Sequence, residues 1–242
     1  MLEPFFGRLA QHSSVCPADI ASLSALGWEK LTIEPHVTIV REGEVPQFCY
    51  VLLQGWTVRQ KITGEGARQI LALQHAGDAL DLQHLMLHRA DHNVQTLSTS
   101  AVVARVSRTA LWNLLEQSPK LALTLWRDSL IDASISREWV VNVGRRRGRT
   151  RVAHLLCEIA VRQHGSESGS PSELHLPFTQ EQLGDAAGLT PVHTNRVLRV
   201  LDQSGAVSRD RDHVQIEDWD QMVTIADFDP TYLHMERAPV LS

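Results

Sequence analysis

Cysteine is scarce in this sequence, and the cysteines that it has are far apart. Cys16, Cys49 and Cys157 form no C-x-x-C pair, and their number is odd. Such an arrangement provides neither a disulfide framework nor a thiolate metal site, and it fits a reducing compartment. We therefore expect a soluble, cytoplasmic protein.

Long apolar runs and targeting signals are also missing. No apolar stretch approaches the roughly 20 residues that span a bilayer, and the first residues, MLEPFFGRLA, lack the basic start of a signal peptide. The net charge is −5, so the chain as a whole is not attracted to nucleic acid or to anionic lipid. We expect no membrane association, and any attraction to nucleic acid must come from a local patch.

The motifs of several common enzyme classes are absent. The sequence contains no G-x-S-x-G, no H-E-x-x-H and no phosphate-binding G-x-x-x-x-G-K. It also lacks the H-x-H pair that a cupin-type metal enzyme requires. We predict that the protein is not an enzyme. The alternative is a cupin-like metal enzyme, and a metal assay that finds one ion per purified chain would support it.

The hydrophobic period changes along the chain. Residues 1–27 have the pattern of short helices, whereas short β-rich stretches alternate with turn signals such as REGE, TGEG and HAGD between about 30 and 108. Evenly spaced strands of this kind indicate an antiparallel sandwich or barrel. A helical period returns from residue 109, and a long run follows Pro119. These patterns predict an α+β fold.

Apolar residues on the long helical run are spaced like the seam of a helix pair. They lie three or four positions apart, with Arg137 at the one missing step: Leu123, Trp126, Leu130, Ala133 and Val140. Such a seam packs either on the chain's own sheet or on the same helix of a second subunit. We favour the second subunit, because the helix lies between two compact regions and carries two tryptophans.

An arginine-rich segment, GRRRGRTR, follows the long run at 144–151. It contains two glycines and five arginines. One interpretation is a solvated hinge with the start of a helix, and the other is a basic strip placed beside a polyanion.

A helix-turn-helix pattern occupies the segment that begins TQEQLGD. Thr179 followed by Gln182 has the form of a capping box, which begins a helix. Gly188 suits the left-handed position that ends this helix, and Thr190-Pro191 has the form of a cap that begins the next one. Two helices joined by so short a corner form a helix-turn-helix.

The second of these helices has one apolar and one basic face on a helical wheel. The residues expected to be buried are Thr194, Val197, Leu198 and Leu201. The opposite face has no acid before Asp202, and it carries Val192, Arg196 and Arg199, with His193 and Asn195 on its flanks.

Arginine and asparagine make paired hydrogen bonds to guanine and adenine in the major groove. We therefore predict that this face, with Thr179 and Thr190 at the two helix starts, binds double-stranded DNA. The segment AVSRDRDHVQIED beyond it predicts two short strands around a charged turn, a wing. The alternatives are a plain helical hairpin with a solvated face and a protein-binding scaffold that has lost DNA binding.

This order of parts resembles the CRP/FNR family of bacterial transcription regulators. The stretches that carry the resemblance are REGEVPQFCYVLLQGW, HAGD and residues 179–207. It implies a cyclic-nucleotide-binding-like β-roll sensor domain over 1–118, a dimerisation helix over 119–144 and a winged helix-turn-helix domain over 145–242. It also implies a homodimer on a two-fold symmetric site with half-sites about 34 Å apart, and RNA polymerase as a further partner.

The resemblance also defines where an effector would bind. Family members that bind cyclic nucleotides carry a Gly-Glu pair and then an Arg-Ser or Arg-Thr pair after a Gly-Asp turn. Here Asp81-Leu82 and His92-Asn93 stand at those two places, after the turn Gly77-Asp78. Because the arginine of the Arg-Ser or Arg-Thr pair is absent here, a buried phosphate would have no fixed counter-charge. We predict a degenerate effector pocket at these positions, either empty or holding an unidentified small molecule. We also predict no control by cyclic AMP unless Arg89 replaces the missing arginine, and no cofactor.

Histidines in the same region leave other sensors open. They are His75, His84, His88 and His92. If this stretch is helical, His84 and His88 could share a metal ion, although Arg89 opposes a cation there. The iron–sulfur cluster of the oxygen-sensing branch requires an N-terminal cysteine cluster that is absent. A metal- or haem-dependent sensor is the alternative function.

Overall fold

The computed structural model describes residues 1–164, 173–175, 179–210 and 213–235. These residues form two compact units, and the division runs between residues 133 and 134 of one long helix. Met1–Lys61 and Ala72–Ala133 belong to the first unit, and Ile62–Leu71 and Ser134–Met235 belong to the second. The three domain ranges derived from the sequence stay a prediction.

The first half of the chain contains short helices and antiparallel strands. The elements up to residue 117 are α1 (Glu3–His12), α2 (Pro17–Ser24), β1 (Glu29–Ile33), β2 (Thr38–Val40), β3 (Phe48–Gln54), β4 (Trp56–Ile62), β5 (Arg68–His75), a 3₁₀ helix (Leu82–Leu85), β6 (Asn93–Thr96), β7 (Ala101–Ser107) and α3 (Arg108–Gln117). The strands form two sheets with the orders β1-β7-β3 and β2-β6-β4-β5. The predicted α+β fold, with its antiparallel strands in the first half of the chain, is confirmed.

Strand β1 is one element of the first unit that the sequence pattern did not reveal. Its residues, EKLTI, include two charged side chains, and the strand pairs with β7 alone at the edge of its sheet. An edge strand with a largely exposed face has little of the apolar signal by which strands are recognised.

The core of the first unit joins the helices to the β1-β7-β3 sheet. Inward-facing residues of β3 and β7 pack with apolar residues of α1, α3 and the long helix α4 (Pro119–Arg145): Cys49, Val51, Val106, Phe5, Leu9, Leu111, Leu121 and Leu125. Packing on α4 therefore uses the face that carries Leu121 and Leu125. The other face of this helix is left for a different contact.

The second half of the chain is mainly helical. After α4 follow α5 (Gly148–His164), β8 (Glu173–His175), α6 (Gln180–Ala187), α7 (Pro191–Gln203), β9 (Val207–Asp210), β10 (His213–Ile216), α8 (Trp219–Ala226) and a second 3₁₀ helix (Pro230–Leu233). Strands β8, β10 and β9 form one small antiparallel sheet, and β9 and β10 are the predicted wing.

Helix α5 is the centre of the second unit. Most of its middle residues are fully buried: Val152, Ala153, Leu155, Leu156, Cys157, Ile159 and Ala160. A helix that is apolar on nearly all sides must be surrounded by other elements, and α6, α7 and α8 pack around it. No helix of the described part of the chain is both long and apolar enough to cross a membrane.

Candidate functional site

The corner between α6 and α7 is built by its caps, as the sequence predicts. The Thr179 amide donates to Gln182 Oε1 at 2.9 Å, and the Gln182 amide donates to Thr179 Oγ1 at 3.2 Å. Gly188 ends α6 in the left-handed conformation, with φ of 63°. Thr190 Oγ1 then accepts from the His193 amide at 3.3 Å and begins α7.

A glycine inside α6 allows the two helices to cross closely. A Cβ atom at Gly184 would lie 2.7 Å from the carbonyl oxygen of Leu189 and 3.0 Å from Thr194 Oγ1. Any side chain here would push α7 away, and the angle of the pair depends on this contact. No local pattern marked Gly184 as a contact residue, because an isolated glycine in a helical pattern indicates only a lower helix propensity at that position.

Helix α7 buries its apolar face and exposes its basic one. The predicted inner residues Thr194, Val197, Leu198 and Leu201 are all buried. Val192 is 82% exposed, and Arg196 and Arg199 are exposed beside it. We call Val192, Arg196 and Arg199 the reading face.

The two flanking residues lie against residues of α5, α6 and α7. Asn195 Nδ2 donates to Gln180 Oε1 at 2.7 Å, and Asn195 Oδ1 accepts from Arg199 Nη2 at 3.4 Å. His193 is half-buried, and a Cβ atom at Gly148 would lie 2.9 Å from its Nε2 atom. These contacts orient the flanks, whereas the reading face itself projects from the protein.

The arginine-rich segment is only partly a free basic strip. Arg146 Nη1 lies 2.6 Å from Glu138 Oε1, and Arg146 Nε lies 3.3 Å from Asp227 Oδ2. Arg151 donates to three backbone carbonyls, those of Arg146 at 2.8 Å, Ala187 at 3.2 Å and Gly188 at 3.4 Å. The interpretation of a basic strip is therefore wrong for Arg146 and Arg151. The exposed arginines are Arg145, Arg147 and Arg149.

The predicted effector pocket begins with a buried ion-pair network. Gly77 makes a tight turn with φ of 100°, and a Cβ atom there would lie 2.7 Å from the carbonyl oxygen of Pro4. Asp78 Oδ1 lies 2.9 Å from Arg8 Nη1, and Arg8 Nε lies 2.9 Å from Asp128 Oδ1. Both carboxylates are buried.

The other predicted pocket residues also face protein groups. Asp81 contacts the Nδ1 atom of His84, and its Oδ1 atom lies 3.6 Å from Nε2 of His92. Burial lowers the pKa of His92, which favours the neutral ring. Leu82 belongs to the apolar core, and Asn93 Oδ1 accepts from the Glu42 amide at 3.0 Å.

Arg59 is a charged residue of this region that the sequence analysis missed. It is 7% exposed, and it donates from Nη1 to Asp132 Oδ2 at 2.5 Å and from Nη2 to the carbonyl oxygen of Leu80 at 3.0 Å. Burial pulls its pKa down, but Asp132, Asp81 and Asp78 together more than reverse this, so the pKa lies above its usual value. Its neighbours in the sequence are Val58 and Gln60, followed by Lys61, so no local pattern marked Arg59 as a buried residue.

The weak metal candidates are not brought together. The 3₁₀ helix ends at Leu85, so the stretch is not the α-helix on which the alignment of His84 and His88 depended. His84 is buried and His88 is exposed. Arg89 is exposed and donates to the carbonyl oxygen of Gly43 at 2.8 Å, which places it outside the region of Asp81. Within the described residues, no group of three or more His, Cys, Asp or Glu side chains could hold a metal ion.

The apolar seam of α4 does not pack on its own chain. Leu123, Trp126, Leu130 and Val140 are each more than half exposed, and Ala133 is partly exposed. We call these five residues the α4 stripe. The alternative in which the seam faces the chain's own sheet is therefore wrong.

Comparisons with known proteins agree with this architecture. Residues 30–118 match the family model of the cyclic nucleotide-binding domain, and residues 150–225 match the model of the Crp-like helix-turn-helix domain. The chain belongs to the CRP/FNR family. It is a DNA-binding regulator of the CRP/FNR type.

Similar regulators align with most of the chain. The nitrogen fixation regulation protein FixK of Azorhizobium caulinodans is 27% identical over 200 residues, which cover 83% of this chain and 78% of that protein. The transcriptional activator protein FnrL of Cereibacter sphaeroides is 23% identical and covers 88% of each chain. The structure of FixK2 from Bradyrhizobium japonicum matches with a TM-score of 0.76 at 20% identity, over 83% of this chain and 98% of that one.

Proposed function

We propose that the protein binds double-stranded DNA as a homodimer on a two-fold symmetric site, and that cyclic AMP does not control it. The observation that carries DNA reading is the reading face. Helix α7 buries its apolar residues, whereas Val192, Arg196 and Arg199 project from the protein. In a helix-turn-helix the start of the second helix reaches the bases of the major groove.

The members of the reading face suit different parts of DNA. Arg196 can donate two hydrogen bonds to one guanine, which contributes about 1–3 kcal/mol of discrimination per half-site. Val192 offers only methyl groups, so a thymine methyl is its natural partner. Arg199 and the exposed Arg145, Arg147 and Arg149 suit phosphates, which position a protein without specifying sequence.

Substitution of two arginines on the same helix tests this assignment. We expect Arg196→Ala to flatten the base preference at one position of each half-site in a binding selection. Arg199→Ala, the matched control, should weaken binding to all sequences alike and reduce the salt slope by about one charge per subunit. An unchanged sequence logo for Arg196→Ala would show that this face does not read bases.

The homodimer is supported by the α4 stripe. Each buried apolar side chain of this size contributes about 1.5–3 kcal/mol, and the same helix of a second subunit offers the matching surface. The double variant Leu130→Asp/Ala133→Asp would place four unpaired charges in that interface. Light scattering should then report a folded monomer.

A control separates the interface from a general effect of added charge. Thr109→Asp/Asn113→Asp adds the same charges at exposed positions of α3, and this variant should remain dimeric. If the variant of the α4 stripe is also dimeric, the subunits meet elsewhere.

The absence of cyclic AMP control is supported by the polar residues at the predicted pocket. Asp78 is paired with Arg8, and Asp81 lies against two histidines, so these carboxylates are directed to protein groups. We further propose that the protein is not an enzyme and acts in the cytoplasm, since its relatives are named as transcription regulators. Contact with RNA polymerase stays a prediction.

A further inference from the structure

A buried carboxylate on α5 connects three elements of the second unit. Glu158 is 1% exposed, and its two oxygens accept from Trp139 Nε1 at 3.0 and 3.2 Å. The Tyr232 hydroxyl donates to Oε2 at 2.8 Å. Burial raises the pKa of Glu158, and the guanidinium of Arg162, whose Nη1 atom lies 3.6 Å from Oε1, opposes this shift. A buried carboxyl group without these donors would be costly, so the contacts hold their elements in place.

The last turns of α4 belong to this unit and are fixed to it. Trp139 is 4% exposed, and its indole is the donor by which α4 contacts Glu158. Glu138 pairs with Arg146 at 2.6 Å, and Asn142 Nδ2 donates to the carbonyl oxygen of Arg151 at 3.2 Å. The orientation of residues 134–145 relative to α5 is therefore set by side-chain contacts.

The same turn of α4 carries the end of the α4 stripe on its outer side. Val140 is 68% exposed and Val141 is 45% exposed, directly after the buried Trp139. One side of this turn is thus available to a second subunit, and the other side contacts Glu158. Helix α5 in turn packs against α7. Within the second unit, the exposed Val140 is therefore connected through Trp139 and Glu158 to α5, and through α5 to α7.

We infer that Trp139 and Glu158 set the half-site spacing that the regulator accepts, an inference that rests on the proposed homodimer. They are positioning residues, because neither lies on the reading face. If the dimer is held along α4, the angle between α4 and α5 fixes the separation of the two α7 helices. One base pair changes that separation by about 3.4 Å and rotates one half-site by roughly 35°. A loosened angle therefore permits spacings that the intact protein rejects.

The test compares two conservative variants that each remove one donor to Glu158. Trp139→Phe removes the donor on α4 and keeps an aromatic ring in the core. Tyr232→Phe, the matched control, removes the donor on the C-terminal 3₁₀ helix and leaves α4 attached. A binding selection on the full-length wild type first defines its site. Dissociation constants are then measured for that site, for the same site with one base pair added or removed between the half-sites, and for an isolated half-site.

We expect Trp139→Phe to reduce the discrimination between correct and altered spacing about fivefold. Binding to the isolated half-site should stay within about twofold of wild type, because the reading face is untouched. Tyr232→Phe should keep the wild-type discrimination, even if it lowers stability. A merely structural role of Glu158 predicts the same result for both variants.

Failure of the inference differs from failure of the proposed function. If wild type selects no symmetric site, the proposed homodimer on DNA is wrong and the inference is overturned with it. If wild type selects one spacing and Trp139→Phe discriminates as strongly as wild type, only the inference is overturned. Should Trp139→Phe not fold, Glu158→Met takes its place, because it removes the acceptor of the Trp139 indole, and it must relax the spacing while Tyr232→Phe does not.

Discussion

The region around Asp81 and the reading face of α7 both concentrate polar residues, but they use them in opposite ways. Around Asp81 the charged groups are buried and contact each other, as Arg8 does with Asp78. On α7 the arginines are exposed, and the apolar residues beneath them form the core. The difference shows that a cluster of polar residues becomes a binding site only when its hydrogen-bonding groups are left for a partner. Burial distinguishes the two cases.

The largest expected effect is on the free energy of unfolding, and it comes from matched arginine substitutions in the two regions. Arg8→Met removes the counter-charge of the buried Asp78 and Asp128, and we expect it to lower the free energy of unfolding by about 3–5 kcal/mol. Arg196→Met, at an exposed position, should change it by no more than about 0.5 kcal/mol. Urea unfolding of both variants measures this.

Base preference in DNA binding should be affected by Arg196→Met and not by Arg8→Met, the opposite of the order for stability. The folded fraction of Arg8→Met should retain the wild-type base preference, whereas Arg196→Met should lose it at one position per half-site. Equal stability losses for the two variants would remove the distinction between the regions.

An intermediate effect on stability is expected from His154, a buried histidine of α5 that packs against Phe228 and Tyr232. Burial, with the positive charge of Arg146, lowers the pKa of His154 from 6.5 to about 4. Between pH 6.5 and about 4 the unfolded chain therefore binds a proton at His154 that the folded chain does not bind. The stability that neutral His154 contributes is fully present above pH 6.5 and is lost as the pH falls towards 4.

Urea unfolding at pH 7.5 and pH 5 measures this contribution. Wild type should lose about 2 kcal/mol more than His154→Gln over this interval, since one unit of pKa corresponds to 1.36 kcal/mol. If both proteins lose the same free energy, His154 does not titrate as its burial implies, and the interior of the second unit is more open than the structure shows.

The smallest expected effect is the response of the first unit to cyclic AMP. Isothermal titration with millimolar cyclic AMP should show no saturable heat, because Asp78 and Asp81 face protein groups and the Arg-Ser pair is missing. A micromolar dissociation constant would mean that these buried groups rearrange and bind a phosphate. The region around Asp81 would then be a binding site like the reading face, but one that is closed in this structure.

Local signals account for what the sequence could predict. The capping box of Thr179, the left-handed Gly188 and the helical period of α7 depend on residues close in the chain, and all three are confirmed. The seam of α4 was also visible as a pattern, but only the structure shows that it is exposed.

Contacts between distant residues account for what the sequence could not predict. Arg59 and Asp132 lie 73 positions apart, and Tyr232 and Glu158 lie 74 apart. No periodicity marks such pairs, because each member looks like an ordinary polar residue of its own element. The helical condition under which His84 and His88 could share a metal ion is not met, because the 3₁₀ helix ends at Leu85, and no spacing in the sequence marks that end.

Because the α4 stripe is exposed in a single subunit, the stability and the DNA binding of this protein should depend on its concentration. An apolar surface that is covered only in the proposed homodimer ties folding stability to subunit concentration by mass action. Occupancy of a two-fold site by a subunit that is mostly dissociated rises with the square of its concentration. A modest change in synthesis or degradation would then act as an input to gene control, whether or not any small molecule reaches the first unit.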